Sequence, residues 1–419
     1  MRTLPFRGVW VLVHRYVGLA MAAFLVVEGI TGSLLVFEGP IDQWLAPQTF
    51  APARPGVAPL PLSVLAERLE ASEPRLRVGY FSIEGPQAVM RVLPRNEPAT
   101  GKPYPLGFDH VILDPWTGRE LIRTREGDLS AGPANLMSFV YDLHQNLALG
   151  PWGTILLGVV AVVWTLDCFL AVALTFPVSL RGFLRHWKTA WLLKWPASAF
   201  RFTFDLHRAS GLWLWPVWFV FAWSSVMFTL PEQVYGPVTG ALFDYRSDAA
   251  TAEAMSRRPQ SSDPHVGWRE AEALGARYMV QAAASHRFTI RRPYGMAYIP
   301  GWNVYTYAVV SSLNLQANDW NTSLWLDGDD GRLVELDLPS QARVGNKVDL
   351  WLRALHFADL GDSLAYRIFV FVLGLVTALI SVTGVLIWLR KRAARGAYKR
   401  HTARSVVVRM GQAHPGARS

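Results

Sequence analysis

Apolar residues gather in four long runs, which are separated by two extended polar regions. A transmembrane helix needs roughly 20 predominantly apolar residues, and each of the four runs reaches that length. The first run is longer than the core of a signal peptide, and no small-x-small cleavage site follows it, so we interpret it as an uncleaved membrane helix. The pattern predicts four transmembrane helices, at Val9–Phe37, Trp152–Leu180, Ala209–Leu230 and Ile368–Leu389.

Three short phrases occur in the same order in both halves of the chain: His-Arg-x-x-Gly, Asp-x-x-x-Gly-Arg and Leu-His. Each His-Arg phrase stands at the start of an apolar run, and each Leu-His phrase precedes the next run. The first copies begin at His14, Asp114 and Leu143, and the second copies begin at His207, Asp327 and Leu355. This order predicts a tandem repeat of about 200 residues.

The first polar region has the pattern of a small α+β domain. The predicted pieces are an amphipathic helix at Leu62–Leu69 and strands at Leu76–Ile83, Ala88–Leu93 and His110–Leu113. The last strand leads into the Asp114 phrase, whose proline and glycine are placed to reverse the chain. The second polar region has a strand-rich middle and the matching phrase at Asp327, so we expect a second domain of the same kind.

These observations predict an α-helical membrane protein: a four-helix transmembrane bundle from a tandem repeat, with two extracytoplasmic α+β domains. The expected segments are helix 1 at residues 9–37, polar domain 1 at 38–141, an outer histidine segment with helix 2 at 142–180, a basic cytoplasmic loop at 181–206, helix 3 at 207–230, polar domain 2 at 231–355, an outer histidine segment with helix 4 at 356–390, and a basic cytoplasmic tail at 391–419.

The composition agrees with a membrane protein. Hydrophobic residues make up 51% of the chain and charged residues only 17%, and the 18 Trp are typical of proteins that meet a membrane interface. The net charge of +9 does not indicate nucleic-acid binding, because the basic residues cluster beside the apolar runs. Cys168 is the one cysteine, so no disulfide forms within the chain and a cysteine-based metal site is not expected.

Lysines and arginines predict the orientation in the membrane. They concentrate between the second and third runs and directly after the fourth, at Arg181, Arg185, Lys188, Lys194, Arg201, Arg390, Lys391, Arg392 and Arg395. The positive-inside rule places these segments and both termini in the cytoplasm. Both polar domains then face outward, to the periplasm if the source is Gram-negative with the chain in its inner membrane, and the two copies are parallel repeats around an axis normal to the membrane.

Four histidines occupy matching positions in the two copies. With the predicted topology, His14 and His207 begin helices at the cytoplasmic face, whereas His144 and His356 precede helices at the outer face. A twofold axis along the membrane normal pairs His14 with His207 at one depth and His144 with His356 at the other. Haem binds between facing side chains in the cores of helix bundles, and imidazole is a common axial ligand.

The residues next to two of these histidines suit a porphyrin. Gly18 and Gly211 follow their histidines by four residues, on the same helix face, where the missing side chain leaves room for a flat ring. Arg15 and Arg208 are adjacent to the histidines and could pair with propionates. Two alternatives stay open: the histidines could be interfacial anchors, or they could bind zinc, although a structural zinc site usually has four ligands together.

Two acidic residues lie inside predicted transmembrane helices. Glu28 is in the first helix and Asp167 in the second. Because an acid within the membrane is costly, each is a candidate for accepting protons or for facing a quinol. The alternative is that one or both form hydrogen bonds with neighbouring helices.

The paired phrases resemble a known family. The stretch His14 to Glu38, with Thr31-Gly32 in it, is similar to the opening helix of the PepSY-associated transmembrane family, and the segments beginning at Asp205, Leu143 and Leu355 resemble its other histidine phrases. Within that family the greatest similarity is to inner-membrane ferric-siderophore reductases of the ferrioxamine type. The resemblance implies a di-haem b protein whose ligands are His14, His144, His207 and His356.

The implied function is an oxidoreductase of iron uptake. It would take electrons from a cytoplasmic or quinol donor and pass them to iron held in a periplasmic siderophore. Aromatic and basic residues of the second domain could line a cleft for the chelate, or could be an ordinary core: Arg292, Tyr294, Tyr298, Trp302 and Tyr305. The alternative function is a membrane-tethered PepSY binding or sensor protein without redox activity, which would not need the four histidines.

Overall fold

The computed structural model describes residues 7–179, 181–258, 260–261 and 264–412. The chain forms two compact units. The helical unit comprises Met1–Ile30, Val159–Trp223 and Val372–Ser419, and the sheet unit comprises Thr31–Gly158 and Ser224–Phe371. Leu180, the predicted end of the second transmembrane helix, and residues 413–419 of the predicted tail lie outside the described residues.

Helices account for most of the chain. They are α1 (Arg7–Leu35), α2 (Glu38–Leu45), α3 (Leu62–Ser72), α4 (Leu136–Asn146), α5 (Pro151–Thr175), α6 (Phe183–Trp187), α7 (Ala199–Thr229), α8 (Gly236–Leu242), α9 (Asp248–Ser256), α10 (Trp268–His286), α11 (Val344–His356) and α12 (Leu364–Gln412).

Strands occur in both polar regions. They are β1 (Leu76–Glu84), β2 (Gln87–Pro94), β3 (His110–Leu113), β4 (Glu120–Thr124), β5 (Ile290–Ile299), β6 (Val304–Ser311), β7 (Ser323–Asp327) and β8 (Leu333–Asp337). The predicted helix at Leu62–Leu69 and the three predicted strands of the first region are present with nearly the expected bounds. Strand β4 was not predicted, because the apolar Leu121 and Ile122 are adjacent and break the alternation.

Among the described residues, four helices are long and apolar enough to cross a membrane: α1, α5, α7 and the first part of α12, Leu364–Gly396. Each coincides with one predicted run, so the chain has the character of a membrane protein. Helix α7 begins ten residues before the predicted start at Ala209. Its early turns are polar but helical, because Arg201 and Arg208 both donate to the buried Asp205 carboxylate from the same helix face.

The helical unit packs through apolar side chains and small residues. Cys168 of α5, Trp218 of α7 and Leu373 of α12 are buried against one another. The Trp218 indole N–H donates to the Thr377 hydroxyl at 2.9 Å, which satisfies its polar atom inside the bundle. Helices α1 and α12 also cross closely, since a Cβ placed on Gly29 would overlap the carbonyl oxygen of α12 that faces it.

The strands of both polar regions form one antiparallel sheet with the order β4-β3-β2-β1-β5-β6-β7-β8. The two halves of the chain meet where β1 pairs with β5, in the register Tyr80 to Ala297 and Ser82 to Gly295. We predicted two domains; the two regions are instead joined edge to edge in a single sheet. The joining has a physical reason, because each set of four strands alone would leave the β1 or β5 edge unpaired.

One face of the sheet carries the main core of the unit, beneath α3 and α10. Buried side chains from both halves share it, among them Phe81 and Met296 from the paired strands. A carboxylate connects the two covering helices: Glu272 of α10 accepts hydrogen bonds from the backbone N–H groups of Leu62 and Ser63, each at 3.0 Å. These N–H groups begin α3 and have no partner within it, so a negative charge there stabilises the helix.

The two Asp-x-x-x-Gly-Arg phrases form turns with the same hydrogen bonds. Oδ1 of Asp114 accepts from the backbone N–H groups two and three residues ahead, at 2.8 and 3.2 Å, and Oδ1 of Asp327 does the same at 2.8 and 3.2 Å. Each turn closes through a glycine with positive φ, 71° at Gly118 and 68° at Gly331. Glycine is required there because an L side chain is strained at such φ values.

Helices α4 and α11 carry the two Leu-His phrases, and both belong to the sheet unit. Helix α11 is tied to the second half of the unit at its start, where the Asn346 amide donates to the Arg246 carbonyl at 2.9 Å. The chain after α11 is fixed as well, since both oxygens of Asp359 accept from the Ala317 N–H at 3.1 Å. His356 is the last residue of α11, so hydrogen bonds to the rest of the unit hold the chain both before and after it.

Candidate functional site

The helical unit brings His14 and His207 together. His14 lies early in α1 and His207 early in α7, and their ring centroids are 6.3 Å apart with an interplanar angle of 54°. These residues are close in space although they belong to different halves of the sequence. The pairing predicted for the His-Arg phrases is therefore found in the structure.

The sheet unit brings His144 and His356 together. His144 lies near the end of α4 and His356 ends α11, and their ring centroids are 6.2 Å apart with an interplanar angle of 58°. The two histidine pairs thus have almost the same spacing and tilt. The predicted pairing of the Leu-His phrases is also found.

The spacing of each pair suits one metal ion between two rings. With a metal–nitrogen bond of about 2.0 Å and roughly 1.1 Å from that nitrogen to the ring centre, two imidazoles on opposite sides of one ion have centroids roughly 6.2 Å apart. The observed separations are 6.3 and 6.2 Å. Aromatic rings that merely pack together have centroids roughly 4.5–7 Å apart, so the separation alone does not distinguish a metal site from ring packing. The hydrogen bonds that orient each imidazole decide between the two.

Each of the four imidazoles contacts a polar group of a neighbouring helix through Nδ1. Nδ1 lies 2.9 Å from Asp167 Oδ1 in His14, 2.9 Å from Thr31 Oγ1 in His144, 3.1 Å from Thr383 Oγ1 in His207, and 2.7 Å from Ser224 Oγ in His356. Metal-binding histidines are usually oriented by such a second partner on the other ring nitrogen. For His14 and His207 this leaves Nε2 for the role of ligand, so that pair fits a bis-imidazole haem, and the Nδ1 contacts of His144 and His356 follow the same pattern.

Two Thr-Gly dipeptides form matching seats for two of the rings. Thr31 contacts Nδ1 of His144, and a Cβ placed on Gly32 would lie 3.0 Å from Cε1 of that ring. The corresponding glycine after Thr383 would place a Cβ 3.3 Å from Cε1 of His207. Each glycine therefore lets an imidazole lie against the helix backbone, at a position where a larger residue would push the ring away.

A cavity of about 450 Å³ surrounds His14 and His207 within the helical unit. Its walls come from α1, α5, α7 and α12, and its size falls in the usual range for cofactor sites. Gly18 and Gly211 both line it, and a Cβ added at either would meet no atom within 4 Å. The predicted role of these two glycines, leaving room beside the histidines, agrees with this geometry.

Four cationic side chains also line the cavity: Arg7, Arg15, Arg208 and Lys391. Their positive charge suits a cofactor that carries carboxylates, as haem does. Arg208 is held in place by Asp205 at 2.9 Å and by the Thr189 carbonyl at 3.0 Å. The predicted propionate partners Arg15 and Arg208 thus both border the space that a porphyrin would fill.

A sequence model of the family described as the PepSY-associated TM region matches residues 11–391. The chain belongs to the PepSY-associated transmembrane family. The match covers most of the 419 residues and includes all four paired histidines. No curated protein matches the chain.

The outer-segment pair of this PepSY-associated chain is enclosed by aromatic and polar groups. The Phe228 ring meets His356 edge-on, with centroids 5.2 Å apart, and the Arg353 guanidinium lies 5.2 Å from the centre of the same Phe228 ring. Burial lowers the pKa of His356 to about 3, and the charges of His144 and Arg353 lower it further. His356 is therefore neutral at physiological pH, which is the form that binds a metal.

The two intramembrane acids differ in their surroundings. Asp167 faces the cavity and contacts His14 with both carboxylate oxygens, at 2.9 and 3.0 Å. Glu28 is half-buried on α1 next to the Gly29 crossing, and the described lining of the cavity does not include it. Of the two predicted proton or quinol residues, Asp167 thus lies against a histidine of the site, and the role of Glu28 stays a prediction.

The residues suggested for a substrate cleft are mostly part of the core. Tyr298 and Tyr305 are each 3% exposed in the main cluster, and the Tyr305 hydroxyl donates to the Val266 carbonyl at 2.8 Å. Tyr294 lies in a smaller cluster with Trp320, and Trp302 stacks on another tryptophan of the sheet. An ordinary core explains these side chains, and they do not form a cleft.

The structure offers no set of zinc ligands in the part of the chain that it describes. No group of three or more His, Cys, Asp or Glu side chains there is arranged to hold one metal ion. A pair of imidazoles suffices for haem, because the porphyrin supplies the other four nitrogens. The paired geometry therefore favours haem over zinc.

Sequence reasoning missed the partners of the imidazoles. Ser224 and Thr383 were not candidates, because a hydroxyl inside an apolar helix is common and carries no signal of its own. Thr31-Gly32 was noted only as part of the family resemblance. The repetition of Thr-Gly at Thr383-Gly384 could have revealed the pattern, since both dipeptides stand in the second half of a transmembrane helix.

Proposed function

We propose that the protein is a di-haem b reductase of the bacterial inner membrane that passes electrons across the membrane to ferric siderophore iron and releases Fe(II) for iron acquisition. The observation that carries this proposal is the pair of matching imidazole sites, with centroid separations of 6.3 and 6.2 Å and a polar partner on every Nδ1. Membership of the PepSY-associated transmembrane family is consistent with it.

Haem, when bound, would supply reversible one-electron transfer. The chain's own residues perform the remaining tasks. His14 and His207 would hold one haem between α1 and α7, and His144 and His356 would hold the other. Gly18 and Gly211 leave space beside the first pair, and Arg15 and Arg208 would neutralise the haem carboxylates.

The charge distribution supports the proposed direction across the membrane. Four lysines and arginines lie between α5 and α7, Arg201 follows in the first turn of α7, and four more come directly after the apolar part of α12. By the positive-inside rule these segments and both termini are cytoplasmic, so His14 and His207 would receive electrons from a cytoplasmic or quinol donor. His144 and His356, which belong to the same unit as the sheet, would then deliver electrons on the periplasmic side.

The proposed reaction transfers one electron to each ferric chelate. The donor loses one electron, and Fe(III) in the siderophore becomes Fe(II). Anionic hydroxamate oxygens hold the lower charge less strongly, so the iron leaves the chelate after reduction. Only the coordination bonds between iron and the hydroxamate oxygens break, and no covalent bond within the siderophore needs to break.

The experiment is to purify the protein from haem-replete cells and measure haem by the pyridine haemochrome assay, followed by stopped-flow mixing with a ferric hydroxamate siderophore. We expect two haems b per chain and reoxidation of dithionite-reduced protein by the chelate. His265→Ala serves as a matched control, because that histidine is on the surface with its side chain 83% exposed. A colourless wild-type protein would favour the binding or sensor alternative.

Small ferric chelates test the siderophore assignment separately from the haem assignment. If ferric citrate reoxidises the reduced protein and the siderophore does not, the haem assignment stands and the siderophore assignment is wrong. Adding the chelate only to the outside of sealed proteoliposomes tests the proposed side, since a periplasmic exit predicts reoxidation in molecules whose sheet unit faces outward.

A further inference from the structure

The sheet unit contains a cavity of about 300 Å³ beside α11. Its walls come from α11, from the connection between β6 and β7, and from the connection between β8 and α11. The five residues suggested above for a substrate cleft do not line it. The volume lies at the lower end of the range for small-molecule sites, so the cavity can hold a small ligand or one arm of a larger chelate.

One wall of this cavity is positively charged. Lys347 is exposed, and it is the one charged side chain among the described lining residues, so no acidic group of that lining neutralises it. Among the described residues no carboxylate forms an ion pair with its ammonium group. Trp351 follows four residues later on the same face of α11 and is 49% exposed. A cation and an aromatic ring therefore lie side by side at the cavity.

Hydroxyl groups and apolar side chains complete the walls. The Ser312 hydroxyl oxygen accepts from the Thr289 N–H at 3.1 Å, which leaves the hydroxyl proton to donate to a ligand. Ser340 adds a second hydroxyl, and Leu315 and Leu350 add apolar surface. This combination is complementary to an anion that has a substantial apolar part.

The cavity is built against the segment that carries His356. At 1.5 Å per residue, Trp351 and Lys347 precede His356 by ~7.5 and ~13.5 Å along the axis of α11. The opposite wall is tied to the chain after His356, because the Leu315 carbonyl accepts from the Gly361 N–H at 3.0 Å. A ligand in the cavity would therefore lie a short distance from the proposed outer electron-transfer site.

We infer that this cavity binds the ferric siderophore, and that the siderophore it takes carries a free carboxylate that pairs with Lys347. The inference rests on the proposed function. The apolar part of the chelate packs on Trp351, and the hydroxyls of Ser312 and Ser340 donate to its oxygen atoms. One electron from the outer site converts the bound Fe(III) to Fe(II), and the carboxylate is unchanged by the transfer.

The experiment measures binding with a probe that is not reduced. The gallium(III) complex of a carboxylate-bearing hydroxamate siderophore has the charge of the ferric complex and no accessible divalent state, so binding is separated from electron transfer. The matched probe is the same complex with the carboxylate converted to a neutral amide. Equilibrium dialysis of the full-length protein in nanodiscs of zwitterionic lipid gives both dissociation constants. We expect the carboxylate form to bind about fivefold more tightly, since water partly screens an exposed lysine.

Lys347→Met is the deciding variant, because it removes the charge and keeps most of the side-chain length. It should bind the two gallium complexes equally, whereas Lys347→Arg should keep the preference for the carboxylate. Lys102→Met is the matched control, since Lys102 is an exposed lysine of the same unit outside the cavity lining. Trp351→Ala should weaken the binding of both complexes, because the apolar contact does not depend on the carboxylate.

Stopped-flow reoxidation provides a second readout for the ferric form of the carboxylate siderophore. Lys347→Met should raise the chelate concentration that gives the half-maximal rate by about fivefold. The limiting rate should stay the same, since Lys347 acts on binding and not on the electron-transfer step.

The outcomes separate the inference from the proposed function. A colourless protein that prefers the carboxylate complex through Lys347 would overturn the proposed electron transfer and support the binding site. A di-haem protein that the siderophore reoxidises equally well in wild type and Lys347→Met would overturn only the inference. Equal binding of the two gallium complexes by wild type would overturn it as well. A preference lost equally in Lys102→Met would show general attraction to a basic surface, which also contradicts a site at Lys347.

Discussion

The hydroxyl of Thr31 lies 2.9 Å from Nδ1 of His144. The contact depends on the residue that follows the threonine, because the ring rests against the α1 backbone at Gly32. The same relationship recurs at Thr383 and His207, where the contact is 3.1 Å. The same arrangement thus positions two of the imidazole rings: a hydroxyl contacts Nδ1 and orients the ring, and the glycine that follows leaves room for the ring against the helix backbone.

Gly32→Ala should displace the His144 ring. The added Cβ would lie 3.0 Å from Cε1, which is tighter than nine in ten real Cβ contacts, so the ring must give way by a few tenths of an ångström. We expect the haem of the His144 site to bind more weakly, with loss of the corresponding absorbance during gel filtration. Gly39→Ala in α2 is the control, because a Cβ there meets no atom within 4 Å. Equal haem content in both variants would contradict the prediction.

Gly18→Leu and Gly211→Leu should fill the cavity beside His14 and His207. Both glycines line the open space, so the leucine side chains have room to fold into it without disturbing the helices. The folded protein should then hold one haem fewer, measured as the haem-to-protein ratio. Gly240→Leu in α8 is matched to them, since it also meets no atom within 4 Å but lies outside the cavity lining. Unchanged haem content in the cavity variants would mean that the porphyrin does not occupy this space.

The sequence was most informative where chemistry repeats. Four matched histidines were enough to predict both pairs, because a repeat with an even number of spans brings equivalent residues to the same level. The helices that cross the membrane were also predictable from apolar length alone. The extension of α7 to Ala199 was not, since Arg201, Asp205 and Arg208 satisfy one another's charges only after they share a helix face.

The single sheet is a tertiary property that the local pattern did not contain. The local pattern predicts β1 and a strand-rich middle of the second polar region, where β5 lies, but nothing in either segment marks it as the partner of the other. Glu272 is a second example, because its carboxylate accepts hydrogen bonds from the first N–H groups of α3, which lie more than 200 residues earlier in the sequence. Contacts of this kind depend on distant segments, so reasoning along the chain finds the elements and not their partners.

Glu38 should make the stability of the sheet unit pH-dependent. Burial, followed by the negative charges of Asp42 and Glu84, raises the pKa of this carboxyl from 4.5 to about 7. The folded state therefore binds a proton at this carboxyl more tightly than the unfolded state does. The contribution of Glu38 to the free energy of unfolding is most favourable below pH 4.5 and becomes less favourable as the pH rises towards 7. Glu38→Gln should raise the melting temperature at pH 8 and change it little at pH 4.5.

Thermal melts of the detergent-solubilised protein at the two pH values test this. The expected gain at pH 8 is on the order of 2 kcal/mol, after allowance for partial solvent access of the carboxyl. Glu253→Gln on α9 is the control, since that side chain is 73% exposed and pairs with a neighbouring surface arginine. A Glu38→Gln variant that is destabilised equally at both pH values would show that the carboxyl serves a structural contact and not a buried charge.

The histidine pairs predict a specific pattern of non-additive losses. Because His14 and His207 hold the same iron, His14→Ala and His207→Ala should each remove one haem, and the double variant should remove no more than either alone. His144→Ala and His356→Ala should remove the other haem and behave in the same way. Combining one change from each pair, as in His14→Ala with His144→Ala, should leave the protein without haem. Pyridine haemochrome titration of these variants measures this directly, with His265→Ala retaining both haems. The prediction is wrong if His14→Ala and His144→Ala remove the same haem. Each iron would then be held by two histidines from one half of the chain, whereas the close ring pairs, at 6.3 and 6.2 Å, join histidines from different halves.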